Sequence, residues 1–127
     1  MNYSKEECDE FKQNLKLRIY TWCIKLVKYL RSLPDSHNYG VQSIIDQVMR
    51  LGTSVGANYV EAINGTSTKD FRNFMAHALK SSNESKFWFA FIRDSNIDNS
   101  DELHFLLVEV VEISNTLGKS VSTMYKK

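Results

Sequence analysis

The stretch "GTSVGANYVEA" (Gly52–Ala62) lies inside a run that otherwise reads as helix. Two glycines, a serine and an asparagine are poor residues for a helix interior, each glycine costing roughly 1 kcal/mol relative to alanine. On a helical wheel the stretch nevertheless fits its surroundings. Val41, Ile44, Val48, Leu51, Val55, Tyr59 and Ala62 step by three and four and form one apolar arc. Gly52 and Gly56 stand four apart and extend that arc, which predicts close approach of another helix there. Gln47, Arg50, Ser54, Asn58 and Glu61 follow the same steps and form a polar ribbon beside the arc. The ribbon reads either as solvated surface or as a network partly buried at a helix contact. In the second case each stranded polar group would cost about 1–3 kcal/mol.

Working outward, punctuation divides the chain into four helical segments: about Ser4–Leu33, Tyr39–Ile63, Ser67–Arg93 and Asn99–Tyr125. Pro34 pushes its predecessor out of helix and ends the first. Asn64-Gly65 is a stop-and-turn signal after the second. Ser67 with Asp70 has capping-box spacing, and Asn99 with Glu102 reads as a further cap. Apolar stripes confirm the period: Leu15, Ile19, Trp22, Leu26, Tyr29 and Leu33 in the first segment; Phe71, Met75, Ala78, Ser82, Phe89 and Ile92 in the third, where Ser82 and Ser85 are polar intrusions. In the fourth, Leu103, Leu107, Val110, Ser114, Leu117, Val121 and Met124 form a near-heptad seam. A single proline and few glycines argue against an all-β fold. The length of 127 residues suits one domain spanning 1–127 with a real core. Four long helices with short connections predict an all-α, up-down-up-down four-helix bundle.

Apolar residues exceed what such a bundle needs. The first segment carries a second stripe, Leu17, Tyr20, Ile24 and Val27, rotated away from the first. The third adds Phe74, Trp88 and Phe91 off its main stripe. These residues either widen the core or mark an interaction surface, and the better reading is a bundle that associates with copies of itself.

Other classes find little support. No apolar run approaches a membrane span, and "MNYSKEECDEF" at the N-terminus is too polar for a signal peptide. Cys8 and Cys23 are therefore expected as reduced thiols in a cytoplasm, and the sequons at Asn2, Asn64 and Asn83 as inconsequential. His37, His77 and His104 lie in different segments and the cysteines have no CxxC partner, so no metal site is expected. "DSNIDNSDELHF" (Asp94–Phe105) places Asp94, Asn96 and Asp98 as in a calcium loop, but Asn99 replaces the turn glycine and Phe105 the bidentate glutamate. It reads as an interhelix turn. No phosphate loop or nucleophile motif occurs, and nothing supplies Ser54 or Glu61 with a tuned base. The expectation is a protein that is not an enzyme and needs no cofactor.

"QVMRLGTSVGANYVEA" followed by "STKDFRNFMAHALKSSNESKFW" resembles the four-helix-bundle proteins encoded in intervening sequences of bacterial 23S rRNA genes, also described as a ribosomal-protein-like group. The resemblance rests on Gln47, Arg50, Ser54-Val55, Asn58, Glu61-Ala62, Asp70-Phe71, Glu84-Ser85 and Phe87-Trp88, and it extends over all four helices. It implies a bundle that assembles as a ring-like homopentamer and is not an enzyme. A more distant branch is the accessory variability determinant of diversity-generating retroelements, which implies a reverse transcriptase and nucleic acid as partners. That branch is typically strongly basic; this chain carries a net charge of +1.

Charge is nevertheless segregated along the chain. From Phe11 to Leu33 the charged residues are all basic: Lys12, Lys16, Arg18, Lys25, Lys28 and Arg31. From Asp98 to Gly118 there are five acidic residues and no lysine or arginine. Three readings follow: attraction between neighbouring first and fourth helices, pairing between subunits, or contact of the basic helix with RNA or DNA phosphates. Two functions stay open on sequence grounds. One is an oligomeric module associating with nucleic acid or a ribonucleoprotein; the other is an oligomeric scaffold for protein partners only.

Overall fold

The computed structural model describes residues 3–34 and 39–125, with the side chains of residues 39, 124 and 125 excepted. Asn2, His37 and the side chain of Met124 thus lie outside the described residues. Four helices and no strand occur among the described residues: α1 (Lys5–Ser32), α2 (Tyr39–Ile63), α3 (Thr68–Asp94) and α4 (Asp101–Tyr125).

The helix ends follow local chemistry. The Ser4 hydroxyl accepts the Glu7 N–H at 3.1 Å, and Glu6 and Glu7 complement the positive end of the α1 dipole. Leu33 is extended, as a residue before proline should be. Ser67 caps α3 through the Asp70 N–H at 3.1 Å, as its spacing predicts. The cap of α4 differs from expectation. Ser100, not Asn99, accepts the Leu103 N–H, while the Asn99 side chain contacts His104 at 2.8 Å. Asp98 stabilises this arrangement by accepting from both the N–H and the hydroxyl of Ser100. Two residues earlier Asn96 takes a left-handed conformation (φ 62°), which asparagine tolerates better than most residues. The segment is an interhelix turn whose aspartate serves the cap and Tyr29.

In sequence order each helix packs on the next, and α1 closes the arrangement against α4. Across the diagonal α1 reaches α3 through side chains, and in the middle the Trp22 and Phe89 rings stand edge to face with centroids 6.1 Å apart. Of the four neighbouring pairs, α2 and α3 run most closely together and α1 and α4 stand furthest apart. Large side chains bridge the wider gap. Trp22 donates its indole N–H to the Leu106 carbonyl at 3.1 Å, and Tyr29 donates to Asp98 at 2.6 Å.

The core is built from the predicted stripes, with adjustments. Leu15, Ile19, Trp22, Leu26 and Tyr29 of α1 are buried, as are Val48, Val55, Tyr59 and Ala62 of α2. Each such large side chain contributes roughly 1.5–3 kcal/mol of transfer free energy. In α4 the expected Leu103, Val110, Ser114 and Leu117 are buried, and the seam is wider than expected. Leu106 and Ile113 are fully buried, whereas Leu107 is half-buried. The polar intrusions are satisfied within their own helices: Ser82, Ser85 and Ser114 are buried and donate to the carbonyls of Leu79, Ser81 and Val111. Their helix-interior position therefore strands no hydroxyl.

Candidate functional site

The glycines of α2 face α1. A Cβ on Gly52 would overlap Leu26 Cδ2 and lie 3.4 Å from the Trp22 ring. A Cβ on Gly56 would meet the Cys23 Sγ at 3.1 Å. Close packing is thus present, but through bulk rather than backbone proximity: side chains of α1 fill the space the glycines leave. Towards solvent this junction opens into an apolar groove of about 220 Å³ whose walls include Ile19, Tyr20, Cys23, Gly56 and Val60, with Lys16 also lining it. Burial pushes the Cys23 thiol up to about 11, so it is a poor nucleophile at neutral pH.

The polar ribbon of α2 divides in two. Arg50 donates to Gln47 at 2.6 Å on the exposed surface, and Glu61 is exposed beyond them. Asn58 is half-buried and donates to both the carbonyl and the hydroxyl of Ser54 at 2.9 Å. Ser54 in turn accepts from the Ser81 hydroxyl of α3 at 3.2 Å. A single network through all five residues does not form within the chain. The part that crosses a helix contact is Asn58–Ser54–Ser81.

The second apolar stripe of α1 points outward, opposite the buried one. Leu17 and Tyr20 are each 64% exposed and Ile24 is 41% exposed; Val27 is half-buried and belongs partly to the bundle. On α3, Phe87, Trp88 and Phe91 form a ring cluster with centroids 5.1–6.2 Å apart, and Phe87 and Phe91 are exposed. Phe74 and Trp88 are half-buried.

The six basic residues of α1 do not form one patch. Arg18 turns to α4 and makes a two-pronged pair with Glu109 at 2.7 and 2.9 Å. The Arg18 hydrogen bond lowers the Glu109 carboxyl below its ordinary value, and the same bond raises the Arg18 guanidinium. The Lys25 ammonium lies 4.2 Å over the Phe105 ring of α4. Lys12 turns to the other flank, 5.3 Å from the Phe71 ring of α3. Lys16, Lys28 and Arg31 remain exposed without an ion pair among the described residues. The attraction between first and fourth helices expected from charge is therefore present, and it engages Arg18.

Sequence reading did not single out the clasp at the far end of α1. Burial, reinforced by the Asp98 hydrogen bond, raises the Tyr29 phenol above its ordinary range. Burial also raises the Asp98 carboxyl, but the hydrogen bonds from Ser100 and Tyr29 more than offset this and hold it low. A tyrosine in a core stripe, seven residues after a core tryptophan, was the only signal. No cluster of histidine, cysteine, aspartate and glutamate able to hold a metal occurs among the described residues. None of the described helices is long and apolar enough to cross a membrane.

Fold and surfaces define an antiparallel four-helix bundle whose distinctive chemistry lies on helix faces. The chain belongs to the 23S rRNA-intervening sequence protein family, whose family model matches residues 16–119. A solved structure from Bacteroides thetaiotaomicron, described as a protein with unknown function from the S23 ribosomal protein family, is similar with a TM-score of 0.76 and 24% identity. The match covers 87% of this chain and 97% of that one, and at this identity what it establishes is the shared fold. No curated protein matches the chain.

Proposed function

We propose that this protein is a non-enzymatic, self-associating helical-bundle module whose contact surface includes the outward side of α1. The observation that carries the reading is the exposure of Leu17, Tyr20 and Ile24 on a helix whose opposite side already supplies the core. Three large apolar side chains in register along one ridge make a surface suited to another protein. The family resemblance adds a ring of five copies. Light scattering on the purified protein tests this: the expected mass is a multiple of the 14.7 kDa chain, and a stable monomer overturns it.

A second reading, association with nucleic acid, is favoured by the exposed Lys16 and Arg31, which have no ion pair among the described residues, and by the link between the family and 23S rRNA intervening sequences. Repetition of a weak basic patch around an oligomer would strengthen such contact through avidity. Lys16→Glu with Arg31→Glu should then abolish salt-dependent RNA or DNA binding while leaving the fold intact. Failure of the wild-type protein to bind either at low salt would leave the protein-only scaffold. A reverse transcriptase partner rests on the wider resemblance alone, and the net charge of +1 weighs against it.

A further inference from the structure

We infer that, in the self-association proposed above, α1 of one copy lies beside α4 of the next at the same height, about a symmetry axis parallel to the helices. The inference rests on that self-association reading and adds the identity and register of the contact.

Exposed apolar groups occur on both helices. Leu17 and Ile24 stand on α1, and Phe105 (45% exposed) and Val108 (64% exposed) on α4. The charges around them are segregated. The described stretch of α1 from Phe11 onward carries only basic residues, and α4 up to Gly118 carries only acidic ones. Inside the chain a single ion pair, Arg18–Glu109, joins the two helices among the described residues. Lys28 and Asp101 stay exposed, each without an ion pair among the described residues. An α1-to-α1 contact would juxtapose like charges, whereas α1 against α4 juxtaposes opposite ones.

Register supplies the second argument. Arg18 is level with Glu109, Trp22 with Leu106 and Tyr29 with Asp98, so the residue numbers at one height add to a nearly constant sum. Rotation about an axis parallel to the helices leaves every height unchanged. In the neighbouring copy Ile24 therefore comes within about two residues of level with Phe105, Lys28 within about two of Asp101, and Leu17 within about three of Val108, which long side chains can span. Apolar residues meet apolar ones and the free lysine meets the free aspartate. A two-fold pair and a closed ring both satisfy this geometry.

Sedimentation of the full chain tests it, with helical content checked by circular dichroism. Leu17→Asp and Val108→Asp should each weaken association about tenfold or more, while Phe87→Asp on α3 should leave it unchanged. Lys28→Glu and Asp101→Lys should each weaken association roughly fivefold, and mixing the two variants should restore it. Restoration identifies the two helices as partners, a result that mere loss of stability cannot produce. Wild-type-like association of Val108→Asp, or mixed charge variants that fail to recover, would overturn the contact while self-association stands. A monomeric wild type would remove the self-association reading itself.

Discussion

Helix α2 meets α1 over glycines and α3 over serines, and the two contacts use small residues for different ends. At Gly52 the missing side chain is replaced by Leu26 and Trp22, which are essentially fully buried. The helices need not come close, because α1 supplies the bulk. At Ser54 and Ser81 two short polar side chains touch, and this is the pair of helices that runs closest. Both solutions cost helix propensity. The first converts that cost into apolar burial, the second into a narrow contact with its hydroxyls satisfied. Small residues at helical spacing thus do not by themselves say which solution a helix uses.

The sharpest way to break this comparison is Gly52→Leu. Its side chain would compete with Leu26 and Trp22 for occupied space, and the expected loss is about 3 kcal/mol in urea unfolding. Unchanged or raised stability would show that the site is open. Alanine separates the two glycines more finely. Gly52→Ala should still destabilise by about 1–3 kcal/mol, because Leu26 has nowhere to go. Gly56→Ala should fall within about 1 kcal/mol of wild type. Cys23 borders a groove and can yield by the few tenths of an ångström required, and the gain in propensity offsets the rest. Equal melting temperatures for the two alanine variants would refute the distinction.

On the serine side the effects are smaller. Asn58→Ala removes the donor to Ser54 and should cost about 1 kcal/mol, with Ser81→Ala no worse. A neutral Asn58→Ala would mean that the ribbon is plain surface. The α1–α4 contact offers the smallest effect. Glu109 has a lower pKa folded than unfolded, so its contribution is complete above the unfolded value and is lost as pH falls through the folded one. Because the pair is partly exposed, the contribution is under about 1 kcal/mol. Glu109→Gln should therefore lose slightly less stability than wild type on acidification, and parallel pH profiles would exclude the pair from the ledger.

The fold was largely legible because its signals are local. Pro34, Ser67 and the three-four stripes each act within a few residues, and the helix ends they predict agree with the observed ones to within two residues. The α4 cap was misread because Asn99 and Ser100 are both good caps, and only the bond from Ser100 to Asp98 decides between them. Candidate surface residues were harder. A wheel places Arg18, Lys25 and Lys28 on one side, but it does not show that Arg18 will meet Glu109 or that Lys25 will sit on Phe105, since both partners lie some eighty or more residues away. On the same wheel Lys12 and Lys16 fall on a separate flank, and this placement needs only the helical period, as the core stripe does.

Two of the side chains that anchor α1 donate to late partners: Trp22 to Leu106 and Tyr29 to Asp98. A chain emerging from the ribosome makes α1 first and these two acceptors last. While α2 and α3 are being synthesised, Trp22 and Tyr29 lack these acceptors, and the outer apolar stripe of α1 faces water. Contacts this distant in sequence also form slowly, since a long loop must close before they stabilise anything. The nascent helix therefore passes through a window in which chaperones compete with α4 for the same surface.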